Sequence, residues 1–228
     1  MKKLMPLFLI FAFTNLFSQE YHFDYYIQYK YEIKRNKEQP EIMDFQYAVN
    51  SQDHSYDISF RSGKNRIVSA VITDFKNSLQ HYFEIRNTGF SLKENNFNYI
   101  YSVKMPSVKK QFEEESKRRF FTSDFIDKGP DGLSHHLIKE FNNQKLKEPR
   151  MSAEVVFADF KDDLSFVGLC LLFDYHEIYD KLKFGNKFIL KSASGKSNNF
   201  KIDISLEAVE PQNFDIKINQ DQLSFKKN

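Results

Sequence analysis

YHFDYYIQYKYEI, Tyr21 to Ile33, places an aromatic or aliphatic side chain at every odd position. The even positions read His22, Asp24, Tyr26, Gln28, Lys30 and Glu32, which are mostly polar. Successive side chains of a strand point to opposite faces, so this period of two predicts a long strand buried on one side and wet on the other, the habit of antiparallel sheets. The alternation recurs at Met43-Phe45-Tyr47-Val49, Tyr56-Ile58-Phe60, Val68-Ala70-Ile72, Leu79-His81-Phe83-Ile85 and Phe97-Tyr99-Tyr101-Val103. Short turn clusters separate these runs, among them Asn50 to Asp53, Ser62 to Asn65, Phe75 to Ser78 and Asn87 to Gly89. The first half therefore reads as a β-meander.

The period changes at Ser107 to Phe121, where Val108, Phe112 and Phe120 at helical intervals predict a short covering helix with Ser107 as its N-cap. Lys128 to Gly132 (KGPDG) is the clearest loop and reads as the divide between two halves. Leu133 to Leu146 suits either a helical stripe or a hairpin turning at Asn142-Asn143; the hairpin is preferred. Ala153 to Phe160 reads as a strand. Leu164, Val167, Leu171, Tyr175, Ile178 and Leu182 then recur at spacings of three and four, predicting one helix with Asp162-Asp163 as cap candidates and Gly185 as its stop. The chain returns to β at Phe188-Leu190, Phe200-Ile202-Ile204-Leu206 and Phe214-Ile216-Ile218, the first two parted by a Ser192 to Asn199 turn. The fold class implied is mainly β: a curved antiparallel sheet or half-barrel with a few helices on its concave side.

Lys2 and Lys3 precede an apolar run from Leu4 to Phe17 that stops at Ser18-Gln19-Glu20, the layout of a secretory signal peptide. A run of about 14 residues is shorter than the roughly 20 needed to span a bilayer, so residues 1–18 are expected to be cleaved after Ser18, leaving 19–228 as a single β-rich domain with no membrane span. The expected location is periplasmic or outer-membrane-associated, or secreted. The formal charge of +2 is carried by Lys2 and Lys3, so the remainder is neutral and lacks the basic field that nucleic acid would require. Cys170 is the only cysteine, which rules out an intrachain disulfide; its apolar setting, Phe166 to Phe173, predicts a buried core thiol.

An aromatic opening strand, a meander, and an ending that runs Glu210-Pro211-Gln212-Asn213-Phe214-Asp215-Ile216-Lys217-Ile218, behind an export segment closing on Leu16-Phe17-Ser18-Gln19, resembles the exported proteins of unassigned role common in Bacteroidota. More loosely, the layout resembles the lipoprotein-carrier half-barrel and GLPGLI-type families, although the Gly-rich signature naming the latter does not occur. The resemblance implies a curved sheet wrapping helices around an apolar groove; it assigns no functional residues.

No nucleophile elbow, phosphate loop, dinucleotide fingerprint or paired-cysteine zinc site is present, so no catalytic or metal-binding set is assigned, no cofactor is implied, and the ligand-binding residues stay unknown. His81 lies on the apolar side of its strand and needs a hydrogen-bond partner, since an unsatisfied ring nitrogen costs about 1–3 kcal/mol. His135 and His136 would face opposite ways and read as surface residues. His176 and Asp180 read as a solvent-facing i,i+4 helical pair, and Asp131, Asp162 and Asp163 as turn and cap residues. With 25 Phe and 12 Tyr, the rings of Tyr21–Ile33 and Phe97–Val103 could line a groove. Three functions stay open: an envelope binding module for a lipid-like ligand; a secreted hydrolase using His81, His135, His136 or His176; and a scaffold that docks another envelope protein through a strand edge or the 107–121 segment.

Overall fold

The computed structural model describes residues 19–63, 66–86, 93, 96–105, 114–145, 147–182 and 184–226. The export segment lies outside these, as does the first part of the helix expected at 107–121. Residues 114–116 are helical, but by Phe120 the chain is already extended. The strands are β1 (Gln19–Arg35), β2 (Glu41–Val49), β3 (Tyr56–Gly63), β4 (Arg66–Asp74), β5 (Leu79–Ile85), β6 (Phe97–Lys104), β7 (Phe120–Lys128), β8 (Ser134–Phe141), β9 (Met151–Asp159), β10 (Phe188–Ser197) and β11 (Phe200–Ile218). Two helices, α1 (Ser165–Phe173) and α2 (Ile178–Lys181), fall between β9 and β10. The hydrogen-bonded order is β6-β5-β4-β3-β2-β1-β11-β10-β9-β8-β7. The fold is thus mainly antiparallel β with few helices, as the alternation predicts. Among the described residues no helix is long and apolar enough to cross a membrane.

Chain contacts divide the protein into two units: one from Met1–Tyr25, Ala48–Met105 and Pro211–Asn228, the other from Tyr26–Tyr47 and Pro106–Glu210. In the first unit the sheet is strongly rolled. Strands β6 and β11 stand six inter-strand steps apart, about 29 Å in a flat sheet, yet Phe97 of β6 stacks on Phe214 of β11 with centroids 5.5 Å apart. Phe23 of β1 also stacks on Phe214 (5.1 Å), and Phe83 meets Phe97 edge-on (5.9 Å). The inward residues predicted for β1 hold here: Tyr21, Phe23 and Tyr25 are buried. For β6 the parity is corrected. Tyr99 pairs with Phe83 but Tyr101 pairs with Tyr82, so a bulge places Ile100 outside the ladder and turns Ser102, opposite His81, to the inside. Tyr101 stacks instead on Tyr82 on the other face, at 4.7 Å.

In the second unit, Ile27 and Tyr29 are fully buried as expected, and the Tyr29 hydroxyl donates to the carbonyl of Leu190 (3.0 Å). Helix α1 packs on β10, and Gly168 permits the approach: a Cβ there would lie 2.8 Å from the Leu190 Cβ. The single helix expected over 164–182 is broken. Asp174 takes a left-handed conformation (φ 49°) and ends α1, so Tyr175, Ile178 and Leu182 are buried from a turn and a second short helix. Asp163 does accept hydrogen bonds from the Ser165 backbone N–H (3.0 Å) and hydroxyl (2.7 Å) at the start of α1. Residues 134–141 form a strand whose return limb is β9; Leu146, the end of the expected hairpin, lies outside the described residues. The Lys128–Gly132 loop joins β7 to β8 inside this unit and is no boundary. The turn expected over 192–199 shrinks to the residues between β10 and β11, and the two strands expected at 200–206 and 214–218 are one, continuous through Pro211.

Candidate functional site

Rolling the first unit brings β5 and β6 toward the end of β11 and leaves a cleft of about 730 Å3 along that seam. Phe83, Phe97 and Ile216 supply apolar lining, and Phe97 joins it to the stacked ring of Phe214. Asn98, Asn219 and Gln222 add amide-bearing residues to the lining, and Ile100, displaced by the bulge and 49% exposed, also belongs to it. Lys217 also borders it and lies 3.7 Å from Glu20. Such a volume falls in the range of ligand-binding clefts.

Behind the cleft runs a buried chain of hydrogen bonds. The Tyr21 hydroxyl donates to Asp74 Oδ2 (2.8 Å), which also accepts from the Asn77 amide (2.8 Å). With its proton so engaged, the Tyr21 oxygen accepts from His81 Nε2 (3.0 Å), which makes Nδ1 the acceptor for the Ser102 hydroxyl (2.7 Å). Ser102 Oγ lies 2.8 Å from the Tyr99 hydroxyl. Burial pushes the His81 pKa down to about 4 against the opposing pull of Asp74, and burial followed by Asp74 raises that of Tyr21. His81 thus has the partners its parity demanded. Although a Ser–His contact is the pairing of nucleophilic catalysis, both residues are 0% exposed, and a hydrolase would need them open to substrate.

The other histidines disperse. His135 and His136 sit on opposite faces of β8 as predicted, but His136 is only half-exposed and inserts edge-on among Phe125, Phe157 and Phe184, with burial lowering its pKa. It lines a second, smaller cleft of about 430 Å3 with Phe121, Leu182 and Lys181. The helical break puts His176 in the turn before α2, half-buried and not on a solvent-facing helical turn as expected. Cys170, expected in the core, is half-buried at α1, its thiol donating to the His176 carbonyl (3.5 Å). Asp131 accepts from the Leu133 N–H (3.1 Å), a turn role.

Two arrangements escaped the sequence reading. His22 Nδ1 and Asp215 Oδ1 lie 2.7 Å apart on exposed strand faces, joined across 193 residues. Arg119 donates to buried Glu140 (2.8 Å) and to the carbonyls of Phe173 and Asp174, capping α1. The only available signal was the charge of Arg119 and Glu140 beside strand-like apolar runs. Among the described residues no cluster of three metal-binding side chains occurs.

No family model and no curated protein matches the chain. Among solved structures it is similar to a beta-barrel-like protein of the domain of unknown function DUF1849 from Brucella abortus, at 7% identity and a TM-score of 0.32, over 83% of this chain and 98% of that one. It is also similar to a LolA superfamily protein from Nitrosomonas europaea, at 4% identity and a TM-score of 0.30, over 82% of this chain and 85% of that one. A DUF1329 family protein from Desulfovibrio piger is similar at 9% identity and a TM-score of 0.23, over 90% of each chain.

Proposed function

We propose that this chain is an exported, non-enzymatic binding module that holds an apolar or lipid-like ligand in the seam cleft of its first unit. One observation carries the reading: a cleft of about 730 Å3 lined both by Phe83, Phe97, Ile100 and Ile216 and by Asn98, Asn219 and Gln222. A lining that mixes apolar side chains with hydrogen-bonding amides matches an amphiphile, whose chain would take the rings and whose polar end the amides. The fully buried Ser102–His81 contact is better suited to holding β5 and β6 together than to chemistry. Export rests on Lys2, Lys3 and the Leu4–Phe17 run.

The test is extraction with organic solvent of protein purified from its own host, followed by mass spectrometry, alongside titration with 1-anilinonaphthalene-8-sulfonate. A stoichiometric lipid and saturable dye binding, weakened about tenfold by Ile100→Glu in the lining, support the reading. An empty extract together with non-saturating dye would sink it. Sequencing of the mature N-terminus checks export; it should begin at Gln19.

A further inference from the structure

We propose that the segment Asn219–Lys226 is a latch across the seam cleft, which must swing away for the ligand to enter. This rests on the cleft being the binding site.

The chain leaves β11 at Ile218 and turns through Gln220–Gln222, a single 3-10 turn closed by the Gln222 N–H on the Asn219 carbonyl (3.0 Å) and by the Gln222 side chain on the Asn219 N–H (3.1 Å). It then crosses to β6 and adds to that edge strand as a parallel bridge, Phe225 beside Ser102. Ser102 N–H donates to the Ser224 carbonyl (2.7 Å), and Lys226 N–H donates to the Ser102 carbonyl (3.1 Å). The segment therefore ties the two banks of the seam together, and Asn219 and Gln222 form part of the cleft wall.

Its hold on β6 is thin. Ser224, Phe225 and Lys226 are exposed, so little apolar area secures them. The contacts that hold it are backbone pairing at Ser102, the Ser224 N–H on the Tyr99 hydroxyl, and Lys104 over the Phe225 ring (5.0 Å) and Lys226 over the Tyr101 ring (5.2 Å), the last two weak at exposed sites. Local opening needs few bonds to break, and such elements are drawn from the low-stability end of a structure.

Tyr99 couples the latch to the cleft. Its ring lines the cleft, while its hydroxyl accepts from the Ser224 N–H (3.1 Å) and lies 3.3 Å from the Ser224 carbonyl. The same hydroxyl touches Ser102 Oγ, which His81 fixes from behind. A ligand that shifts the Tyr99 ring thus loosens the clasp, and the buried chain back to Asp74 restores it when the cleft empties.

The experiment compares the full chain with the double variant Ser224→Pro, Lys226→Pro, which removes two N–H donors of the clasp, those to the Tyr99 hydroxyl and the Ser102 carbonyl, and substitutes no residue that lines the cleft. Stopped-flow mixing with 1-anilinonaphthalene-8-sulfonate reads entry and exit, and hydrogen exchange at the Ser102 amide reads latch closure. A gate is shown by association and dissociation rates that both rise at least fivefold while the equilibrium affinity moves less than twofold, with Ser102 exchange accelerated. Unchanged rates with accelerated exchange overturn the latch and leave the binding site standing. Dye that saturates neither protein overturns the site and the latch with it. Ser102 exchange equally fast in both proteins shows that the clasp is not closed and overturns the latch alone. A chain ending at Leu223, which keeps Asn219 and Gln222 at the cleft and removes the clasp residues 224–226, serves as a second opened form should the double variant lose its circular dichroism.

Discussion

Replacing Arg119 by Met removes the group that ends α1 and neutralises Glu140. In the native arrangement Arg119 is 7% exposed and Glu140 2%. The Arg119 guanidinium donates to Glu140 Oε1 (2.8 Å) and to the carbonyls of Phe173 and Asp174, the last turn of α1, where a cation also meets the negative end of the helix dipole. It further lies over the Tyr175 ring at 4.6 Å. Each charge-assisted hydrogen bond is worth about 1.5–3 kcal/mol, and breaking a buried ion pair from one side costs about 3–5 kcal/mol because the remaining charge is stranded. Glu140 keeps only Arg150 (3.2 Å), whose side chain is half-exposed and well hydrated. The Met stem recovers part of the apolar contact, so a net loss of about 3–5 kcal/mol is expected. At roughly 2–4 °C per kcal/mol for a chain of this size, the melting temperature should fall by about 6–20 °C. Circular dichroism melts and urea titrations of Arg119→Met, Glu140→Met and the double variant measure it. The double variant should cost less than the two single changes together, by about 0.5–3 kcal/mol. An Arg119→Met protein melting within about 2 °C of the unaltered one would refute the assignment of this pair as a buried tie between β7, β8 and α1.

Ile27 is 0% exposed whereas neighbouring Gln28 is half-buried on the opposite face. Ile27→Asp should therefore cost several kcal/mol, enough to threaten a domain stabilised by about 5–15, and Gln28→Asp about half a kcal/mol or less; equal melting temperatures would contradict the strand parity. Burial holds the folded His81 pKa near 4 against an ordinary 6.5, so between those values the unfolded chain binds a proton that the folded protein refuses. Stability should then rise with pH across 4–6.5 and be lost as pH falls, by about 3 kcal/mol in all. Urea midpoints against pH for the unaltered chain and His81→Gln check this, and identical slopes would remove His81 as the cause. Gly168→Ala should destabilise by about 1–3 kcal/mol, since the new methyl meets the Leu190 Cβ, which cannot move without the strand; a neutral result would mean that α1 stands further from β10.

Much of the fold class is local, and so was legible. Alternation at Tyr21–Ile33 and Leu79–Ile85 depends only on the pleat of each strand, which is why the burial of Phe23, Ile27, Tyr29 and His81 followed from position alone. Parity survives only while pairing is regular. The bulge at Ile100 depends on how β6 registers against β5, and it exchanged Tyr101 for Ser102 on the inner face, so the buried Tyr21–His81–Ser102 chain was not legible from spacing. The helix over 164–182 failed for a similar reason. Its apolar spacing is equally satisfied by two short pieces, and the break at Asp174 is stabilised by Arg119, 55 residues away. The cleft was visible only as an excess of rings near Phe97. By itself the sequence determined which residues seek burial and that they do so as antiparallel strands, because those preferences belong to each residue and its neighbours. Where the rolled sheet brings Phe97 onto Phe214, and what the segment after Ile218 pairs with, only the tertiary structure decided, since both depend on twist summed over many strands and on backbone groups whose partners lie far away in the chain.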